Sequence, residues 1–465
     1  MQSLYISAAH KSSGKTTLSI GICAALGARG IRVQPFKKGP DYIDPIWLGM
    51  AAGEACFNLD FFIAGRDATI AEFGERSRSA ELSLIEGNKG LHDGLDLDGS
   101  NSNAALARAI GSPVIMVIDA RGTMRGIAPL LIGYQVFDPE VRIAGVIANM
   151  TGGSRHESKL RAAVEHYTDI PFLGALDKAA EIELSERHLG LIPGYEDSQS
   201  RQKIETIRDR VQEHIDLDQL LSVAGRIDLA QATKRTRDRA DYTGLKIGIA
   251  RDRAFGFYYP GDLEKFSQCG AELIPVDTLA DRQLPEIDGL FIGGGFPERH
   301  AAELEANSGL RTAIKAAIDN GLPTYAECGG LMYLSRSIVW QGERHEMVGA
   351  IDADATMHER PCGRGYVKLT ERSESLWPEP ATGIMHVHEF HYSSIDGLDP
   401  ALPYAYAVER GAGINHEFDG LMVQNLLASY SHMRHTAATP WVTRFLEFIK
   451  SCRHGGSQFD LSQAR

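Results

Sequence analysis

Short apolar runs alternate with stretches of helical periodicity through the first half of the chain, and this alternation constrains the fold more than any other feature. Each run has the length of a buried strand, and most lead into a loop with Gly, Asp or Asn. The pattern predicts an α/β fold with a helix-covered parallel sheet, whose ligands lie at the carboxyl ends of strands. The runs are "LYISAA" (4–9), "IRVQPF" (31–36), "LSLIEG" (82–87), "PVIMVID" (113–119) and "IAGVIAN" (143–149).

Length and composition indicate a globular protein with more than one domain. The chain has 465 residues, of which 43% are hydrophobic and 23% are charged, as in folded domains. Its net charge of -13 argues against non-specific binding to nucleic acid or to an anionic membrane. Six scattered cysteines without a CxxC pair indicate reduced thiols. Because no long apolar run predicts a membrane span, we expect a cytoplasmic protein.

A change in composition after about residue 197 predicts where the domains meet. A charged helical pattern and a polar stretch come first, and a second α/β pattern then begins with "LKIGIARD". We predict a first domain over 1–230, a linker over 231–244, a second domain over 245–452 and a loose tail over 453–465.

The segment "AHKSSGKTT" (9–17) follows the first predicted strand and opens a helical pattern. It matches the phosphate-loop pattern, with Ala9 in place of the leading glycine. In such loops backbone N–H groups face phosphate at a helix N-terminus, and the lysine adds positive charge. The alternative is a chance turn that opens a helix. The predicted ATP-binding residues are Ser13, Gly14, Lys15, Thr16, Thr17 and Asn149, of which Asn149 either reads the base or is an ordinary loop residue.

Two acids at predicted strand ends point to a metal site. Asp41 lies in "GPDYIDP" after the second strand, and Glu86 ends the third. Mg²⁺ prefers oxygen ligands and often takes one or two carboxylates together with phosphate. We therefore predict Mg²⁺ bound by Thr16, Asp41 and Glu86; the alternative for each acid is a helix cap.

The segment "LPTYAECGGLMYL" (322–334) reads as a strand, a sharp turn and a helix start, with Cys328 at the apex. A cysteine at a helix N-terminus is activated toward the thiolate, which makes it a candidate nucleophile. The glycine-rich segment "FIGGGFPE" ends another strand. We predict an oxyanion site formed by backbone amides of Gly294 or Gly295 together with Gly329.

A cysteine nucleophile needs a base, and three histidines compete for that role. His432 in "LLASYSHMRHT" is the leading candidate, and His388 and His391 in "HVHEFHYS" are its rivals. A transition-metal site is the weaker interpretation, because no cysteine or further ligand stands at a recognisable spacing.

Together, a phosphate loop and a thiol nucleophile suggest amide formation. A carboxylate is a poor electrophile, and phosphorylation by ATP gives it a leaving group. The thiol would release ammonia from glutamine. This scheme predicts a carbon–nitrogen ligase with glutamine as the amide donor. A dethiobiotin-synthetase-like ligase or a partition-type ATPase switch leaves the second predicted site without a purpose, and a non-enzymatic tetrapyrrole carrier needs neither site.

Several segments resemble the cobyrinate a,c-diamide synthase family, glutamine amidotransferases that act on a corrinoid or a related tetrapyrrole. The resemblance spans about residues 3–445 and includes "GPDYIDP", "FYYP", "ECGG" and "HEFHYS". It implies a P-loop, dethiobiotin-synthetase-like domain and a class I glutamine amidotransferase-like domain, with Cys328 as nucleophile and His432 as base. A homodimer is left open. The implied substrate-binding residues are Tyr42, Asp44, Lys89, His92 and Asp93.

The chain departs from the corrinoid branch at positions beside the implied substrate. Lys38 and the pair Asn88-Lys89 replace apolar residues, and His92 often replaces an aromatic one. Trp47 stands where a histidine is common, and Arg434 breaks a His-x-His pattern. These changes make sirohaem the leading substrate, as in the DsrN-type enzymes. The a,c-diamidation of cobyrinate or hydrogenobyrinate is the alternative.

Overall fold

In the computed structural model the chain separates into two compact units, Met1–Arg235 and Thr236–Arg465. Most of the predicted linker and nearly all of the predicted tail lie outside the described residues, so those domain boundaries stay a prediction. No helix among the described residues is long and apolar enough to cross a membrane. The structure describes residues 1–178, 186–187, 190–197, 199–227 and 241–453.

A parallel sheet forms the centre of the first unit. Its strand order is β3-β2-β4-β1-β5-β6-β7, and β10 pairs antiparallel with the start of β1. The described strands are β1 (Gln2–Ala8), β2 (Val33–Lys38), β3 (Phe57–Leu59), β4 (Leu82–Glu86), β5 (Val114–Asp119), β6 (Ile143–Thr151), β7 (Phe172–Asp177), β8 (Glu186–Arg187), β9 (Gly190–Leu191) and β10 (Gly225–Arg226). β1 lies in the middle of the sheet, so the loop after it opens at the centre of the carboxyl edge.

Helices connect these strands and cover the sheet. Separate apolar clusters pack on its two faces, which explains why the strands read as continuous apolar runs. The helices are α1 (Lys15–Ala28), α2 (Ile43–Ala52), α3 (Phe61–Ala64), α4 (Arg66–Arg76), α5 (Asn103–Ile110), α6 (Ile127–Phe137), α7 (Ser154–Tyr167), α8 (Ser200–His214) and α9 (Leu217–Val223), with a 3-10 turn at Ser77–Ser79.

All five runs predicted as strands in this unit form strands of the sheet, with shifts of one or two residues at their ends. Of the parallel strands, the prediction lacked β3 and β7. β3 has only three residues and lies at the sheet edge, so its sequence pattern is too short to be recognised. β7 is the opposite edge strand, and a glycine interrupts its apolar run.

A mixed sheet forms the centre of the second unit, in the order β13-β11-β14-β16-β25-β24-β23-β20-β21. Neighbouring strands pair parallel from β13 through β11, β14 and β16 to β25. The strands then pair antiparallel from β25 through β24, β23 and β20 to β21. A smaller sheet has the order β18-β17-β19-β22, and β12 pairs with β15. The strands are β11 (Lys246–Ala250), β12 (Phe255–Phe257), β13 (Glu272–Val276), β14 (Gly289–Ile292), β15 (Gly294–Gly295), β16 (Thr324–Glu327), β17 (Ser335–Trp340), β18 (Glu343–Glu346), β19 (Ile351–Met357), β20 (Gly363–Glu371), β21 (Ile384–His391), β22 (Ser393–Asp396), β23 (Tyr404–Arg410), β24 (Phe418–Val423) and β25 (Leu426–Ser429).

Apolar clusters again lie on both faces of the large sheet. The helices of this unit are α10 (Pro260–Gln268), α11 (Ala301–Ala306), α12 (Ser308–Asp319), α13 (Gly329–Leu334) and α14 (Trp441–Arg453), with a 3-10 turn at Pro297–His300. Cys328 therefore lies between β16 and α13, at the carboxyl edge of the parallel half. The α/β class predicted from the sequence is confirmed in both units.

Candidate active sites

The phosphate loop joins β1 to α1 and contacts the side chain of Asn149, which lies near the end of β6. Gly14 has φ +86°, and a Cβ there would lie 1.9 Å from Asn149 Nδ2. Only glycine fits this position. The Asn149 side chain donates to the Ser13 carbonyl oxygen over 2.9 Å. The structure therefore gives Asn149 a contact with the loop backbone, and its role in reading a base stays a prediction.

Lys15 opens α1, and its ammonium group lies against backbone carbonyls of two loops. Its Nζ donates to the Lys89 carbonyl over 2.7 Å and to the His10 carbonyl over 3.4 Å. Burial lowers the pKa of Lys15 to about 8, although nearby carboxylates oppose the shift. Thr17 lies half-buried in the same helical turn. A phosphate group would give the Lys15 ammonium a stronger, anionic partner than these carbonyls.

The acids predicted to bind metal surround the ammonium group of Lys37, which the sequence prediction missed. Lys37 Nζ lies 2.6 Å from Glu86 Oε1, contacts Asp44 Oδ2, and lies 3.9 Å from Asp41 Oδ2. The hydroxyl of Thr16 lies 2.8 Å from Glu86 Oε1 and 3.3 Å from Asp44 Oδ2. We call the three carboxylates of Asp41, Asp44 and Glu86 the carboxylate cage.

Burial and charge act against each other in the carboxylate cage. Burial lowers the pKa of Lys37, but the surrounding carboxylates outweigh it and hold the pKa well above its ordinary value. Burial also raises the pKa of Glu86. Asp41 Oδ1 accepts from the backbone N–H groups of Ile43 and Asp44, so it also caps α2. Asp44, predicted to face the substrate, contacts Lys37 and Thr16, and its substrate role stays a prediction.

The loop after β4 is fixed by Asn103, the first residue of α5, which the sequence prediction also missed. Its Nδ2 donates to the Asn88 and Gly90 carbonyls over 2.5 and 2.6 Å, while its Oδ1 accepts from the Asn88 N–H. Tyr5 donates to the same Oδ1 over 2.9 Å. Three hydrogen bonds to one buried amide hold this loop at the edge of the sheet.

The predicted substrate residues of this loop differ in their exposure. Lys89 is exposed, with φ 41°. The half-buried His92 stacks on Tyr134, and its pKa is lowered by burial. Asp93 Oδ2 accepts from the Gly90 N–H and closes the turn. Tyr42 is buried immediately before α2.

Lys38 is a departure from the corrinoid branch that the structure buries. It follows Lys37 on β2 and is 4% exposed. Burial lowers the pKa of Lys38 to about 8; the charge of Asp60 opposes this shift, and the charge of Lys89 adds to it. No carboxylate of the described residues forms a salt bridge with its ammonium group.

In the second unit, Cys328 occupies a strained turn between strand and helix. Its backbone has φ 48° and ψ -100°, and its N–H donates to the Ser429 carbonyl over 2.7 Å. Such strain in a non-glycine residue is typical of nucleophile turns. A Cβ on Gly330 would lie 2.3 Å from the Ile292 carbonyl oxygen, and one on Gly329 would lie 3.0 Å from Gly295 N. The predicted oxyanion residues Gly295 and Gly329 thus lie side by side.

His432 lies beside Cys328 and Glu327. Burial lowers the pKa of His432, but hydrogen bonding and charge from Cys328 and Glu327 outweigh it and raise the pKa to about 10. Its Nδ1 lies 3.4 Å from Glu327 Oε2. Gly294, the remaining predicted oxyanion residue, packs so closely that a Cβ there would lie 2.6 Å from His432 Cε1.

The two rival histidines have other surroundings. His388 stacks on His432 with ring centroids 4.9 Å apart, and its pKa is lowered well below the ordinary value by burial and by His432. His391 stacks on Tyr430, and its Nδ1 lies 2.8 Å from the Ser393 carbonyl oxygen. Among the three, His432 interacts with both Cys328 and Glu327, and its role as the base stays a prediction.

Glu327 is the functional candidate that the sequence prediction missed in this unit. It ends β16, directly before Cys328, and is buried. Its Oε1 accepts from the Tyr325 hydroxyl over 2.7 Å and from the Met433 N–H over 2.8 Å, which directs Oε2 toward His432.

The buried Arg434 lies over the Tyr259 ring, with 5.6 Å between the guanidinium carbon and the centroid.

Comparisons with known proteins cover both units. Residues 6–192 match the CobQ/CobB/MinD/ParA nucleotide binding domain, and residues 246–439 match the CobB/CobQ-like glutamine amidotransferase domain. Three relatives carry the name cobyrinate a,c-diamide synthase. The Magnetococcus marinus protein is 43% identical over 96% of each chain. The Listeria innocua protein is 40% identical over 93% of this chain and 96% of its own, and the Methanosarcina acetivorans protein is 38% identical over 93% and 92%.

The family predicted from the motifs is thereby confirmed, as are the P-loop and amidotransferase folds predicted for the two domains. The matches do not distinguish the sirohaem branch, which stays a prediction. The chain therefore belongs to the cobyrinate a,c-diamide synthase family and is a carbon–nitrogen ligase of the glutamine amidotransferase kind.

Proposed function

We propose that the chain uses ATP and glutamine to amidate peripheral acetate carboxylates of a tetrapyrrole. The observation that carries the proposal is that one chain holds two kinds of site. One is a phosphate loop beside the carboxylate cage, and the other is Cys328 beside His432 and Glu327. An activating site without an ammonia source would not explain the second, and a glutaminase alone would not explain the first.

In the second unit, Cys328 is the nucleophile toward glutamine. An imidazolium at His432 favours the thiolate beside it, so the sulfur attacks the carboxamide carbon directly. The oxygen of the tetrahedral species accepts from the amides of Gly295 and Gly329. His432 then gives its proton to the departing nitrogen, the C–N bond breaks, and ammonia leaves a thioester on Cys328. Water, deprotonated by His432, hydrolyses the thioester to glutamate.

In the first unit, the γ-phosphoryl group of ATP passes to a substrate carboxylate. Lys15 and the loop amides bind the phosphates, and ammonia then displaces phosphate from the acyl phosphate. A divalent ion fits the residues present, because the carboxylate cage and Thr16 supply oxygens and Glu86 Oε2 is buried without a hydrogen-bond partner among the described residues. Mg²⁺ would neutralise charge on the phosphates, held by Thr16, Asp41, Asp44 and Glu86.

Two tetrapyrroles are candidate substrates. The activity named for the relatives favours cobyrinate, with amidation at the a and c acetates. The buried Lys38 favours sirohaem, as a more carboxylate-rich macrocycle, because a lysine without a salt bridge among the described residues would gain an anionic partner. We place cobyrinate first, because the relatives named for that activity match 93–96% of this chain.

The substrate choice is tested by offering cobyrinate and sirohaem separately with ATP, Mg²⁺ and glutamine, and by resolving the products by high-resolution mass spectrometry. We expect two amidations of cobyrinate. Turnover of sirohaem alone reverses the order of the two candidates, and turnover of neither contradicts the proposal.

The Lys38→Leu substitution places an apolar residue where the corrinoid branch has one. It tests whether Lys38 binds the substrate. If Lys38 binds a substrate carboxylate, its loss raises KM about tenfold or more, which corresponds to one charge-assisted hydrogen bond. Steady-state kinetics with the accepted macrocycle measure this change, and ATP affinity serves as the internal control. An unchanged KM removes Lys38 from the substrate site.

Glu327→Gln tests whether this carboxylate positions and charges His432. The variant keeps the shape of the side chain but removes its charge, so the pKa of His432 falls from its raised value toward that of an ordinary imidazole. Histidine ring resonances followed by NMR against pH measure the shift. The pKa of His432 should be lower in the variant than in wild type, although Cys328, which contributes more to the raised pKa than Glu327 does, still acts on the ring.

Glutamine hydrolysis should decrease about tenfold or more in the Glu327→Gln variant, in line with the usual contribution of acid–base groups. Amidation supplied with ammonium salts should not change, and this readout controls for folding. Equal titration of His432 in both proteins would show that Glu327 has no electrostatic role.

A further inference from the structure

The ammonium group of Lys37 lies where a divalent ion would meet its ligands. Its side chain is 4% exposed and contacts oxygens of the carboxylates that we propose as metal ligands. Nζ lies 2.6 Å from Glu86 Oε1 and contacts Asp44 Oδ2, and Thr16 Oγ1 is hydrogen-bonded to the same Glu86 oxygen. Lys37 thus already supplies one positive charge to the carboxylate cage and hydrogen bonds to two of its three carboxylates.

A divalent ion and this ammonium group compete for the same oxygens. Both are cations, and in a buried site two positive charges a few ångströms apart repel strongly. The metal also needs the lone pairs of Glu86 and Asp44 that the Lys37 hydrogens now occupy. For the metal to bind well, the Lys37 ammonium must acquire another anionic partner, or be absent.

We propose that Lys37 is a tethered cation that occupies the metal position of the carboxylate cage until nucleotide binds. ATP phosphates bound at Lys15 and Thr16 bring anionic oxygens to the edge of the cage. They offer the Lys37 ammonium a new partner and offer the metal additional ligands. Divalent-ion binding is thereby made dependent on nucleotide. This inference rests on the proposed ATP site, although it does not depend on the identity of the macrocycle.

A purely structural role for Lys37 makes a different prediction. If Lys37 only neutralised buried carboxylates, its loss would destabilise the fold without creating a metal site. If it occupies a metal position, its loss exposes three carboxylates and a hydroxyl to an incoming ion. The gain of a binding site therefore distinguishes the two roles.

The test is a titration of the nucleotide-free, full-length protein with Mn²⁺, in which electron paramagnetic resonance reports the free ion. We expect wild type to bind Mn²⁺ weakly alone and at least tenfold more tightly with adenylyl imidodiphosphate. Lys37→Met should bind Mn²⁺ without nucleotide at least tenfold more tightly than wild type. Lys38→Met is the matched control for this titration and should bind Mn²⁺ as wild type does, because this neighbouring lysine contacts no cage carboxylate among the described residues.

Further variants assign the gained site and guard against misfolding. Adding Glu86→Gln to Lys37→Met should abolish the gain, and Lys37→Gln offers a neutral side chain that can still donate hydrogen bonds. Should both Lys37 variants fail to fold without metal, folding in Mn²⁺ alone supports the proposal and failure to fold there overturns it.

Wild type that binds Mn²⁺ equally well with and without nucleotide also overturns the proposal, as does a folded Lys37→Met variant without a gain. The titration contains no tetrapyrrole and no glutamine. A failed amidation assay therefore counts against the proposed function, whereas a failed titration counts against the role of Lys37.

Discussion

Replacing Cys328 by serine abolishes glutamine-dependent amidation, whereas amidation supplied with ammonium salts continues. The serine hydroxyl is a far weaker nucleophile than a thiolate held beside an imidazolium, so the glutamine-dependent rate should fall about 10³-fold or more. The first unit has its own phosphate loop and carboxylate cage, and the substitution touches neither. Free ammonia should therefore still capture the acyl phosphate.

The two amide donors are compared by mass spectrometry of the tetrapyrrole product at one pH, high enough to supply unprotonated ammonia. Cys452→Ser is the matched control, because this thiol lies on α14 and contacts Asn425 instead of the residues around His432. It should keep both activities. Loss of the ammonium-dependent rate in a folded Cys328→Ser variant would contradict the division of labour between the two sites.

Replacing Lys15 by alanine removes amidation with both amide donors, glutamine and ammonium salts. Lys15 is the lysine of the phosphate-loop pattern at the start of α1, and its loss removes a preorganised cation from the phosphates in the transition state. The rate should fall about 10²- to 10³-fold, the usual cost of deleting one such electrostatic contact. Supplying ammonium salts cannot restore it, because no acyl phosphate forms.

The glutaminase site should survive this change and reports on folding. An electrophilic glutamine analogue, 6-diazo-5-oxonorleucine, should still alkylate Cys328 in the Lys15→Ala variant, detected by peptide mass spectrometry. Lys159→Ala, at an exposed lysine of α7, should retain full amidation. Ammonium-dependent turnover by the Lys15→Ala variant at the wild-type rate would exclude this lysine from phosphoryl transfer.

Structural features that depend on one short, contiguous segment of the sequence were predictable. The phosphate loop needs glycine, lysine and threonine at fixed spacing after a strand, and the nucleophile turn needs a cysteine followed by glycines. Both depend on local backbone geometry, so a short segment contains all the information. The parallel strands were predictable for the same reason, apart from the edge strands β3 and β7, whose patterns are short or interrupted.

Distant partners that no motif or strand end marks were not predictable, and Lys37 is the clearest case. It stands beside Lys38, and nothing in the pair distinguishes one lysine from the other. Successive side chains of a strand point to opposite faces. Lys37 therefore meets Glu86, which is 49 residues away, whereas Lys38 comes under the influence of Asp60 and Lys89.

The sequence by itself determined which residues supply the reactive groups, namely the phosphate loop with Lys15 and the turn with Cys328, because short patterns fix local backbone conformation. Only the tertiary structure decided what surrounds them. It placed Lys37 within the predicted metal site and Glu327 against His432, because sheet register and strand order bring distant side chains within hydrogen-bond distance. Contacts of this kind depend on the whole fold, and a short sequence pattern does not predict them.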